Sequence, residues 1–162
     1  MLKPIFTLLI CSIAFAASAD ECTFSQDGII ENLKVHMQQH PGGTLNEAEQ
    51  TIVWKDKNSS ATYSYAYGGC EDIGLMVKKN LAVKTRLTEA QVLAVAAGLA
   101  KNYCAPYHAK PFLDGIANKT YTKTNNEDGA VSYAIPVADA PEVYITYDPN
   151  ENYISINLAE EM

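Results

Sequence analysis

The hydrophobic pattern opens at helical period. From Gly28 to His40 the apolar residues Ile29, Ile30, Leu33 and Met37 recur on one helical face, and Pro41-Gly42-Gly43 ends the run. The pattern then shortens to period two. Glu49–Asp56 carries Ile52 and Trp54 on one side and closes at the polar turn Lys57-Asn58-Ser59-Ser60. Ala61–Tyr67 alternates strictly, with Tyr63, Tyr65 and Tyr67 opposite Thr62, Ser64 and Ala66, which predicts a half-buried strand. Gly68-Gly69 breaks it, and Ile73, Leu75 and Val77 alternate again up to Lys78-Lys79-Asn80. These three runs predict an antiparallel meander.

A second helix opens at Thr88-Glu89-Ala90-Gln91, a capping box, and runs to Tyr103 with Val92, Leu93, Ala96, Leu99, Ala100 and Tyr103 as its apolar face. Pro106 and Pro111 are expected to bracket a loop, with a short helical turn over Phe112–Asn118. Two hairpins follow. Lys119–Thr124 and Ala130–Pro136 flank the turn Asn125–Gly129, and Glu142–Tyr147 and Asn152–Leu158 flank Asp148-Pro149-Asn150-Glu151. In the last strand Ile154, Ile156 and Leu158 face one way and Tyr153, Ser155 and Asn157 the other, so one face is wet. The fold class that follows is α+β: two main helices packed on one face of an antiparallel β-sheet, in the order helix, strands, helix, strands, with the lengths suggesting two similar halves.

Ahead of this domain, Lys3, the apolar run Ile5–Ala17 and the small-x-small site Ala17-Ser18-Ala19 make residues 1–19 read as a secretion signal, leaving residues 20–162 as one α+β domain in the periplasm or medium. The run is too short to span a bilayer, so no membrane insertion is expected after cleavage. Lys3 is the only charged residue removed, so the formal net charge of −7 becomes −8. That acidity, with Arg86 as the only arginine, argues against nucleic acid; it would draw in a basic protein partner by long-range attraction, or else serve only to keep the protein soluble.

Cleavage also removes Cys11 and leaves Cys22, Cys70 and Cys104. If the helix from Thr88 packs back along the strand after Cys70, Cys104 returns to the level of Cys70, and a bridge between them closes a loop of about 34 residues worth roughly 3 to 4 kcal/mol. Cys22 to Cys70 is the other pairing.

The alternative use of Cys70 is as a nucleophile with His108 as its base. Tyr67-Gly68-Gly69-Cys70 is similar to the region around the catalytic cysteine in cell-wall peptidases of the NlpC/P60 type. The likeness covers about ten residues, lacks the family's Asp-Cys-Ser-Gly order, and implies a cysteine peptidase or amidase. The disulfide is preferred and no catalytic residue is assigned.

His36 and His40 share a helical face at a spacing that can chelate zinc or copper, but no further ligand stands at a completing spacing, so they read as exposed polar residues and no metal or other cofactor is expected. Asp148, Asn150 and Asn152 mimic the start of a calcium loop, whose glycine and glutamate positions hold Tyr153 and Ala159; the segment reads as a hairpin turn. Of the ten tyrosines, Tyr144 and Tyr153 fall on or near a polar strand face. With the turn acids Glu127, Asp128, Asp148 and Glu151 they form the candidate binding surface. The function expected is that of an exported, non-catalytic binding protein, an inhibitor or immunity-type protein occluding a cell-wall hydrolase or toxin. A structural envelope component is the remaining alternative.

Overall fold

The computed structural model describes residues 25–58, 60–68, 73–84, 86–137 and 140–160. The expected leader lies outside the described residues, as do Cys22 and Cys70.

The first helix, α1 (Gln26–Gln39), starts where the Ser25 hydroxyl accepts the Gly28 N–H at 3.3 Å, and it buries Ile29 and Leu33. It ends at His40, whose carbonyl accepts a hydrogen bond from the Trp54 indole at 2.7 Å. Gly43 has to be glycine, because a Cβ there would lie 2.6 Å from side-chain atoms of Ile52 and Trp54. That close approach lets the chain turn directly into a short strand the hydrophobic pattern did not predict, β1 (Thr44–Asn46).

The meander follows as β2 (Thr51–Lys55), β3 (Thr62–Gly68) and β4 (Ile73–Asn80). After the helix α2 (Glu89–Tyr103) and a third helix, α3 (Pro106–Asn118), the two hairpins form β5 (Thr122–Asn125), β6 (Val131–Val137), β7 (Ala140–Asp148) and β8 (Tyr153–Glu160). All eight strands join one antiparallel sheet in the order β1-β2-β3-β4-β8-β7-β6-β5. Each half is thus a four-stranded meander, and the two meet through their last strands, β4 and β8, about a local two-fold.

A single cross-strand row shows how the pattern becomes a core. Ile52, Tyr65, Val77, Ile156, Ile145 and Tyr133 sit opposite one another across six strands, and all are buried. Each contributes on the order of 1.5–3 kcal/mol by leaving water. The helices cover this side: α1 packs on β1–β3, α2 on β4, β8 and β7, and α3 on β6.

The path of α2 differs from the one expected. At its start the Leu87 N–H donates to the Tyr147 hydroxyl at 3.1 Å, and at its end the Tyr103 ring lies 5.5 Å from that of Tyr63. Tyr63, Lys79, Ile154 and Tyr147 are neighbours in one cross-strand row. The helix therefore runs across the strands from β7 to β3 instead of back along β4, because its apolar face has the seam between the two halves to cover.

The larger correction is α3. The proline-bracketed loop is a helix of 13 residues, a third beside the two main helices among the described residues. Pro106 suits the first turn, where its missing N–H would have no partner anyway. Pro111, inside the helix, forgoes a bond to the Tyr107 carbonyl, a loss of about 3 kcal/mol. Burial of Phe112, His108 and Ala109, together with the tight seat of Gly115 on Ile135, offsets it. Proline content predicted a loop because propensity is local, whereas this gain is tertiary.

Candidate functional site

Among the described residues the three helices pack on one side of the sheet and none covers the other. Its central row reads Val53, Ser64, Lys78, Ser155, Thr146, Ser132 and Thr124, one residue from each of seven strands. The adjacent row carries Thr51, Ala66, Met76, Asn157, Tyr144, Ala134 and Thr122. Both rows follow from the period-two alternation: each residue is displaced by one from a core position.

Tyr144 is 42% exposed here. Beside it lies a shallow depression of about 380 Å³ lined in part by Ala66, Met76 and Asn157, with Glu49 from the β1–β2 turn on its edge. Met76 and Val53 were missed as surface residues, although their place in the alternation opposite Leu75, Val77 and Trp54 already carried the signal.

The other candidate residues gather at the far end of the same face. Asn150 Nδ2 donates to the Asp128 carbonyl at 2.7 Å and ties the β7–β8 turn to the β5–β6 turn. That contact brings Asp128 together with Asp148 and Glu151 near Tyr153, whose hydroxyl pKa is raised by burial first and then by Asp148, Asp128 and Glu151. Two of the four acids also build their turns. Asp148 Oδ1 accepts the N–H groups of Asn150 and Glu151 at 2.7 and 2.9 Å, and Asp128 Oδ1 that of Ala130 at 2.9 Å. Glu127 and Glu151 stand exposed. Tyr153 is less open than expected, because the Lys78 ammonium lies 3.8 Å from its ring centroid. Tyr144 lies four residues along β7 from Asp148, about 13 Å away.

The helical side holds the alternative chemistry. His108 is buried on α3, not exposed in a loop. Its proposed partner Cys70 lies outside the described residues. Cys104 has no disulfide partner among the described residues, and as a thiol its pKa is pushed by burial up to about 12. At pH 8 Cys104 is expected to react with iodoacetamide at least about a hundredfold more slowly in the folded protein than a free cysteine. Repeating the reaction in denaturant without reductant tests the Cys70–Cys104 bridge, since a bridged Cys104 stays unreactive until reduced.

His36 and His40 are not simply exposed. The His36 ring stacks on Tyr65 with centroids 3.8 Å apart, lies 4.6 Å from the His40 ring, and meets the edge of Trp54 at 6.0 Å. Burial lowers its pKa from 6.5 to about 4, and His40 adds to the effect. Between pH 6.5 and about 4 the unfolded chain takes up a proton at residue 36 that the folded chain refuses, so stability falls as pH falls through this window. Melting temperatures measured from pH 7 to 4 should show the loss, and His36→Phe, which keeps a stacked ring, should flatten that part of the profile.

Among the described residues no three His, Cys, Asp or Glu side chains cluster as metal ligands, and no helix is long and apolar enough to cross a membrane. No family model, no curated protein and no solved structure matches this chain.

Proposed function

We propose that this chain is an exported, non-catalytic binding protein of the inhibitor or immunity type, which occludes a basic protein partner through the open face of its sheet. The observation that carries the reading is the one-sidedness of the fold: among the described residues no helix covers the second face of the sheet, which has an exposed tyrosine beside a depression and acids at one end. A flat sheet face with a satisfied backbone needs no reorganisation to dock, and Tyr144 supplies rigid contact area at low entropy cost. Glu49 at the rim of the depression suits a lysine or arginine side chain reaching in beside Tyr144. The four turn acids lie where they steer encounter without being desolvated. A cell-wall hydrolase or a toxin with a basic surface fits this description.

The test is capture from an envelope extract at low salt, followed by kinetics on the recovered partner. The expected partner is basic, and its association slows steeply between low salt and about 0.1 M, where exposed charges about 10 Å apart are largely screened. An acidic partner, or an association rate indifferent to salt, contradicts the proposal.

A further inference from the structure

On the helical side, α1 and the α2–α3 corner do not close over β3, and the gap between them is a cavity of about 570 Å³, in the size range of small-molecule sites. Tyr65 and Tyr67 of β3 line it from below, His36 and Gln39 from α1, and Cys104 and Tyr107 from the corner. The other two histidines of the chain, His40 and His108, line it as well.

Two features of the lining define what it would hold. Among the described residues that line it, none is Asp, Glu, Lys or Arg, so these walls offer a charged ligand no counter-ion in exchange for its hydration. The polar groups present are carboxamides, imidazoles and phenols, and each of these types both donates and accepts hydrogen bonds. Their complement is a ligand with several neutral groups that also do both, namely hydroxyls, carried on a ring with apolar faces to set against tyrosines. Tyr107, 71% exposed at the rim with its ring 3.9 Å from that of His108, is placed as the outer ring of such a site.

The geometry points to a binding site for an uncharged saccharide in the cleft between α1, β3 and the α2–α3 corner. It lies on the side of the sheet away from the proposed protein-docking face and does not depend on that reading. Occupancy would tie α1 to the α2–α3 corner.

Isothermal titration of the whole protein with N,N′-diacetylchitobiose and with cellobiose tests it, against a cationic glucosamine dimer, an anionic galacturonic acid dimer and phenol. The expected result is binding of at least one neutral disaccharide at a dissociation constant on the order of a millimolar or tighter, with both charged dimers at least about tenfold weaker. The single tryptophan, Trp54, 5.7 Å from Tyr103 and 6.3 Å from His40, gives a fluorescence readout of the same event. Tyr107→Ala and Gln39→Ala, both at exposed positions, should each weaken binding about tenfold or more at an unchanged melting temperature. The inference is overturned if neither neutral disaccharide binds at ten times that concentration, if a charged dimer binds equally well, if phenol binds and the saccharides do not, or if both variants bind as the parent does.

Discussion

Phe112→Ala should cost about 3–5 kcal/mol and take the melting temperature down by more than ten degrees. Phe112 is fully buried on α3, so truncation removes the side chain that anchors this helix to the sheet and leaves a cavity in its place. The size of the effect follows from what α3 lacks. Its N-cap, Ala105, provides no side-chain hydrogen bond, and Pro111 has already removed one backbone bond, so local interactions cannot hold the helix once its anchor is gone. Chemical denaturation and near-ultraviolet circular dichroism would measure the loss. A change below about 1 kcal/mol would mean that α3 is stabilised by its own sequence. His108→Ala, buried on the same helix, should also destabilise, by a smaller amount, because its position is structural.

Reversing the two exposed turn acids together, Glu127→Lys with Glu151→Lys, should slow association with the basic partner about tenfold or more at low salt while leaving dissociation nearly unchanged. These two are chosen because Asp128 and Asp148 hold their turns through backbone hydrogen bonds, and replacing those would confound charge with folding. Tyr144→Ala should do the opposite, leaving association almost untouched and speeding dissociation, since a contact made after encounter acts on the bound state. Surface-plasmon kinetics at two salt concentrations separates the cases. If the double reversal changed only dissociation, the acids would lie inside the interface; if it changed neither rate, the acidic end would have no part in binding.

How much of this was legible beforehand depended on the range of the forces involved. The meander, the capped helix α2 and both hairpins could be read because each is specified by neighbours: alternation for the strands, Thr88 and Gln91 for the cap, and Gly129 and Asp148 for the turns. The candidate residues Tyr153, Asp128, Asp148 and Glu151 could be named for the same reason, as members of turns and strand ends. Their convergence could not be read, since it rests on one bond between Asn150 and the Asp128 carbonyl, 22 positions apart. The cleft was hidden altogether. His36 and His40 looked exposed from their helix alone, and only the arrival of Tyr65, Trp54 and Tyr103 from distant segments half-buries them, His36 stacked on Tyr65 and His40 against the other two rings.

The sequence by itself determined the α+β class, the order of most elements and which residues of each strand face the core, because these depend on the period of the hydrophobic pattern and on hydrogen bonds a few residues long. Long-range packing made Pro106–Asn118 a helix, sent α2 across the strands, joined the two meanders through β4 and β8, and left one face of the sheet without a helix among the described residues. Each of those outcomes turns on burial against residues far away in the chain, where the free energy gained exceeds any local preference and leaves no local mark.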